Sequence, residues 1–290
     1  MSLSILTNLS AMNTHRNLLN TSDAVSTAMQ RLSSGLRINT AADDAAGYAI
    51  AQGLTTQVNG LDQASRNVGD AISMVQTAES SLNNIQSMLQ RISELAVQYQ
   101  NGDLSSQDQS DLQSEVNQLT QEIDRQRGSV QFNGITLLDG SAGASSGAVT
   151  FQVGAQVTDT LTTTFGDIEG SSALGVTGFS WSTGSTNNAA AGAQVFSLGQ
   201  TNALSLINAA ITNVSTMAAN LGAVQNRLQY TADAIATTEQ NMTAAKSSIT
   251  DVDMAKEMTM LTQKQILQQA GTAMLAQANA QPQLILKLLQ

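Results

Sequence analysis

The chain has 290 residues, a net charge of −10, 12% charged side chains and 3% aromatics. The acidic balance and the lack of a basic tract argue against nucleic acid and anionic membranes as partners, and no apolar run reaches the ~18 residues of a membrane span. With no cysteine, disulfides, Cys-ligated metals and thiol nucleophiles are excluded together.

The N-terminus lacks a basic stretch followed by an apolar core and a small-residue cleavage site, so a cleaved secretory signal is not expected. The first predicted element is instead an amphipathic helix. Ile5, Leu9, Met12, Leu18, Val25, Met29, Leu32 and Leu36 follow at steps of mostly three, four and seven, which is one helical face. The other face is Ser, Thr and Asn with almost no charge. That suits a helix covered on several sides better than a solvated one. Residues 33–39, SSGLRIN, break the run. Gly35 disfavours helix by ~1 kcal/mol relative to Ala, and the side chains of Thr40 and Asp43 can cap a new helix.

From residue 44 to residue 99 the pattern sharpens. Leu54, Leu61, Val68, Val75, Leu82 and Leu89 form a strict heptad row. Three positions further on stand Gln57, Ala64, Ala71, Ala78, Ile85, Ile92 and Tyr99. This is a coiled-coil seam whose second row is small in its first half, where a partner helix can approach closely. At ~1.5 Å per residue the helix is roughly 80 Å long and cannot bury that seam against itself. Asn101-Gly102-Asp103 stops it. A further helix over 104–127 carries Leu112, Val116, Leu119 and Ile123, and the short turn implies antiparallel neighbours.

The period then changes. Asn133-Gly134 is a turn signal. Residues 148–153 and 157–165 carry Val, Thr and Phe in short runs split by Gly154-Ala155-Gln156, which reads as a β-hairpin. Residues 184–192, GSTNNAAAG, are linker-like. After Gln200 a second heptad row follows: Ile207, Val214, Leu221, Leu228, Ile235, Met242 and Ile249. Thr250, Asp251 and Asp253 interrupt it. A last helix carries Met260, Leu267 and Met274, is expected to end near Pro282, and is followed by an apolar tail at 284–289. The expected fold is mainly α: a long antiparallel helical bundle or coiled coil with a small β-hairpin region distal to the termini.

Chemistry-bearing motifs are absent. There is no HExxH, GxxxxGK[ST] or GxGxxG. His15 reads as a polar helix-face residue rather than a catalytic base. Asp43 and Asp44, adjacent on a helix start, read as dipole-favoured charges. Met254, Met258, Met260 and Met274 read as adaptable packing residues. No enzyme activity, cofactor or metal site is expected.

RLSSGLRINTAADDAAGYAI, LGAVQNRL and QILQQAGTAMLAQAN resemble the terminal signatures of bacterial flagellins. QFNGITLL and the hairpin around FQVGA resemble the family's middle segments. The resemblance implies a chain that is exported unfolded through a type III channel without a cleaved signal, and that polymerises outside the cell into the flagellar filament for swimming. It implies an inner coiled-coil domain of residues 1–42 with 253–290, a rod domain of 43–181 with 200–252, and a minimal variable outer segment at 182–199. Leu18, Val25, Met29, Leu32, Met260, Leu267 and Met274 are the expected polymerisation seam. Implied partners are further copies of the chain, an export chaperone, and cap and hook-associated proteins. LQRISELAVQ resembles the segment recognised by Toll-like receptor 5, with Arg91, Leu95 and Glu115 at matching contact positions. Leu119 stands where some recognised members carry Arg.

Two other structural readings stay open on the sequence. A hook–filament junction protein shares such termini, though its similarity normally weakens through the middle, where QFNGITLL and the FQVGA hairpin still match here. A chemoreceptor hairpin shares long heptad helices but runs into a helical tip, where this chain has β segments and Gly. A hydrolase is a third class, tested by assaying the purified monomer.

Overall fold

A computed structural model describes residues 8–143, 147–168 and 196–288, the stretch beyond Gln281 by backbone alone. Most of the variable outer segment expected at 182–199 lies outside the described residues. The elements follow in the order α1 (Leu9–Ser34), α2 (Ala45–Tyr99), α3 (Ser106–Ser129), β1 (Gln131–Phe132), β2 (Ile135–Thr136), β3 (Ala148–Gln152), β4 (Thr160–Thr164), α4 (Ala203–Thr250) and α5 (Met254–Leu288). The fold is mainly α with a small antiparallel β region, as the periodicity predicts. The chain divides into two compact units, Met1–Val58 with Gln240–Gln290, and Asn59–Glu239.

In the second unit the α2 heptad rows form the core. Leu61, Val68, Val75, Leu82 and Leu89 are buried, as are Ala64, Ala71, Ala78, Ile85 and Ile92 between them. From α4, Ile207, Val214, Leu221, Leu228 and Ile235 are buried in turn. The two helices meet where Gln86 Nε2 donates to Ser215 Oγ at 3.2 Å. Earlier on α2 and later on α4, Leu82 shares a small cavity with Met217 and Leu221, so the rows run in opposite directions. Each fully buried Leu, Ile or Val contributes about 1.5–3 kcal/mol. The rows are longer in sequence than in burial: Leu54, Met242 and Ile249 are half-buried and Gln57 is exposed.

α3 returns beside α2 after the turn at 100–105, as the short connection predicts, and Arg91 of α2 reaches Glu115 of α3. A capping box opens α3: Asp108 N–H donates to Ser105 Oγ at 3.2 Å, and Ser105 N–H donates to Asp108 Oδ2 at 3.0 Å. Its buried row is Val116, Thr120 and Ile123, while the expected Leu119 is only half-buried. β1 and β2 are joined by Asn133 (φ 50°) and Gly134 (φ 80°), a type I′ hairpin turn. β3 pairs with β4 from Ala148↔Thr164 to Gln152↔Thr160. Asn67 Nδ2 anchors this hairpin to α2 by donating to the Gln152 carbonyl at 3.0 Å. The chain is held at two points on either side of residues 169–195. Ile168 N–H donates to the Leu138 carbonyl at 3.2 Å. On return, Gln113 clasps the backbone: its Nε2 donates to the Phe196 carbonyl at 2.9 Å, and its Oε1 accepts from Leu198 N–H at 2.8 Å.

In the first unit α1 packs antiparallel on α5. Asn8 Nδ2 donates to the Ala278 carbonyl at 2.8 Å, and Leu18 lies against Gly271. Gly35 ends α1 in the left-handed conformation (φ 72°), with its N–H on the Arg31 carbonyl, a conformation that glycine adopts without steric cost. Two sequence expectations are corrected here. The cap of α2 is neither Thr40 nor Asp43 but Asp44, whose Oδ1 accepts from Gly47 N–H at 2.9 Å. Asp43 instead turns back and accepts from the Asn39 and Thr40 amides. α5 does not end near Pro282 but continues to Leu288.

Candidate self-association surface

The terminal helices expose the least settled chemistry in the chain. The covered side of α1 is Ala11, Thr14, Leu18, Thr21, Val25, Ala28 and Leu32, at alternating steps of three and four. The covered side of α5 is Glu257, Leu261, Lys264, Gln268, Gly271, Leu275 and Ala278, with the same alternation. This is heptad geometry with few large apolar groups. Many large apolar groups stand elsewhere. Leu9, Met12, Leu19 and Met29 on α1, and Met254, Met258, Ile266, Leu267 and Met274 on α5, are all exposed. Met258, Ile266 and Met274 follow at eight-residue steps, so each lies about 80° further round the helix than the last. A helix apolar on several sides is made to be enclosed, and among the described residues α1 covers one side of α5.

The expected seam residues therefore sort into two groups. Val25 is buried and Leu18, Leu32 and Met260 are half-buried, while Met29, Leu267 and Met274 face outward. Leu9 and Met12, read from the sequence as part of α1's packed stripe, are outward as well. The sequence reading missed Ile266 because it followed heptad steps, and the outward residues of α5 do not keep one face.

At the root of these helices sits a cluster of caps. The Asp43 carboxyl is held below its usual pKa by the Thr40 backbone N–H first, with the Asn39 amide, the Thr40 hydroxyl and the Arg31 guanidinium adding to this against a burial effect of opposite sign. Asp253 Oδ1 accepts from Ala255 and Lys256 N–H at 3.0 and 3.1 Å, capping α5.

In the second unit Arg91 Nη2 lies 2.9 Å from Glu115, and Nη1 lies 3.2 Å from Glu94. The Glu115 hydrogen bond, then that of Glu94, holds the guanidinium above its usual pKa. Leu95, expected beside them as a contact, is 1% exposed and belongs to the core. It follows Ile92 by three positions, where the buried stripe of α2 widens beside α3.

The cavity between α2 and α4 in this unit holds about 100 Å³ and is lined largely by Leu82, Phe165, Met217 and Leu221, below the ~300 Å³ at which ligand pockets begin. Exposed faces of long helices are thus the most extensive uncommitted surface among the described residues. Residues 5–143 match the model of the bacterial flagellin N-terminal helical region, and residues 204–289 match that of the C-terminal helical region. The chain is 42% identical to flagellin of Bacillus subtilis (strain 168), 44% identical to flagellin of Halalkalibacterium halodurans, and 42% identical to the flagellar filament 33 kDa core protein of Treponema phagedenis, each over 98% of both chains. The chain belongs to the bacterial flagellin family and is a structural subunit of the flagellar filament, not an enzyme. These relatives leave the junction-protein reading without support.

Proposed function

We propose that this chain is exported unfolded, assembles at the filament tip and serves swimming motility. We assign residues 1–42 with 253–290 to the innermost layer, 43–181 with 200–252 to the surrounding rod, and 182–199 to the outer surface. The observation that carries the reading is α5: its apolar residues point to several sides, and among the described elements it is α1 that packs on one of them. Ordering the backbone costs roughly 1–2 kcal/mol per residue, which a seam whose five larger aliphatic residues are spaced among Thr, Ala, Gln, Lys, Glu and Gly offsets poorly. Neighbouring copies supply the missing apolar cover, so α1 and α5 order as the filament grows. An export chaperone and cap and hook-associated proteins complete the set of partners. Electron microscopy of purified protein after seeding tests the reading. Tubes are expected, and a protein that stays monomeric at high concentration with seeds present would refute it.

A second function rests on the α2–α3 surface. The exposed Arg91–Glu115 pair presents charged donors and acceptors to a protein partner, and the resemblance of LQRISELAVQ points to Toll-like receptor 5. Leu95 then acts from beneath, by holding that surface in place.

A further inference from the structure

The pair Asn-Gly occurs three times, as Asn59-Gly60, Asn101-Gly102 and Asn133-Gly134, and the fold holds it in three ways. The pair is prone to ring closure, because a glycine has no Cβ to hinder attack by its own backbone nitrogen on the preceding side chain. Asn59-Gly60 lies inside α2. There the Gly60 N–H is committed to the Thr56 carbonyl four residues back, and Gly60 packs against Ala155. Asn133-Gly134 forms the β1–β2 turn, with Asn133 in the left-handed conformation (φ 50°). A type I′ turn sets the side chain of that residue and the next backbone nitrogen on opposite sides of the Cα–C bond. Asn101-Gly102 lies in the connection between α2 and α3, and Asn101, Gly102 and Asp103 are all exposed. The Asn101 N–H donates to the Gln98 carbonyl at 3.0 Å. Among the described residues, nothing hydrogen-bonds to the Gly102 N–H or to the Asn101 side chain.

We propose that Asn101 is a site of spontaneous deamidation, and that the fold protects Asn59 and Asn133. The Gly102 nitrogen gives its proton to hydroxide and attacks Asn101 Cγ. The N–Cγ bond forms, the Cγ–Nδ2 bond breaks, and the amide nitrogen takes up a proton and leaves as ammonia. Water then opens the five-membered imide. Cleavage of the new bond to Cγ restores the backbone with aspartate at position 101. Cleavage of the bond to the backbone carbonyl carbon leaves isoaspartate, with the chain routed through the β-carbon. One water is consumed, one ammonia is released, and no electrons are exchanged. Either product adds a carboxylate at the C-terminal end of α2, beside Asp103, where the helix dipole disfavours it. The first turn of α3 is held separately by Ser105 and Asp108, so the change stays within the connection. The lost amide is not restored, and the site therefore records the age of each molecule without unfolding it.

Peptide mass spectrometry of the full-length protein, incubated in mildly alkaline buffer both folded and in urea, tests this. In the folded protein Asn101 is expected to convert at least ~10-fold faster than Asn59 and Asn133, which requires only that local opening at those two sites costs about 1.4 kcal/mol. In urea the three sites are expected to convert at similar rates. Gly102→Ala is expected to slow conversion of Asn101 in both states, because a methyl group then stands beside the attacking nitrogen. A Cβ at Gly102 meets nothing within 4 Å, so this variant is expected to fold without loss of thermal stability. Equal rates at the three sites in the folded protein would overturn the proposal. So would an Asn101 that converts in urea but stays intact when folded, or wild-type conversion in Gly102→Ala.

Discussion

Arg91 and Glu115 face each other across α2 and α3, guanidinium to carboxylate at 2.9 Å, with each side chain about half in solvent. An exposed pair of this kind adds little to stability, so its value lies in what it presents. Arg91→Ala is expected to leave thermal unfolding nearly unchanged and to weaken signalling through Toll-like receptor 5 by purified monomer. A receptor reporter assay measures this, and full potency in the variant would remove Arg91 from the contact. Leu95→Ala is the contrast: a buried leucine truncated to alanine costs about 2–5 kcal/mol, visible in the melting curve of the protein alone.

The outward residues of α5 make a separate prediction. Met258→Ser, Ile266→Ser and Met274→Ser combined remove three apolar groups that touch little within the chain. Monomer stability is expected to shift by no more than about 0.5 kcal/mol per site. Tube formation is expected to fail, since each residue buried between copies would contribute about 1.5–3 kcal/mol. Normal tubes from the triple variant, counted by electron microscopy, would place self-association on another surface.

Much of this fold is legible in the sequence because its period is regular. The rows from Leu61 to Leu89 and from Ile207 to Ile235 are buried as their spacing dictates, and the valine- and threonine-rich runs pair as β3 and β4. What escaped is local or long-range. Asp43 and Asp44 are adjacent carboxylates, and only geometry decides which one caps α2. Thr120 is buried and Leu119 half-buried because the packed face of α3 is set by its neighbours rather than by hydropathy. The C-terminal cation of α4 comes from Arg37, and no local pattern near residue 250 could reveal it. α5 defeats periodicity altogether, since its exposed large apolar residues keep no one face.

Thr163 offers a test of the core. It points inward from β4, is 3% exposed, and its hydroxyl has no hydrogen-bond partner among the described residues. Valine has the same shape without the polar atom. A buried polar group left unpaired costs about 1–3 kcal/mol, so Thr163→Val is expected to stabilise the protein by about 1 kcal/mol in urea unfolding. A loss of stability would mean that the hydroxyl is satisfied after all.

The start of α3 carries a pH dependence of known sign. The Ser105 hydroxyl, then the Ser105 backbone N–H, holds the Asp108 carboxyl below its usual pKa. The ionised form is therefore favoured in the folded state. Its contribution is complete above the unfolded pKa of about 4 and disappears as pH falls through the lower folded value. Exchange of the first-turn amides of α3 is expected to accelerate over that acid range. Ser105→Ala is expected to cost about 1 kcal/mol at neutral pH and to flatten the acid response. A wild-type acid response preserved in the variant would refute the assignment.

The pinning of the chain at Ile168 and again at Phe196 bears on how the protein can change over generations. With both ends fixed by the folded unit, a change of length between them leaves the register of every described helix as it is. A heptad row tolerates no such freedom, because one inserted residue rotates every later side chain by about 100°. Length can therefore change between 168 and 196 without disturbing a heptad row, while α2, α4 and α5 are confined to substitution.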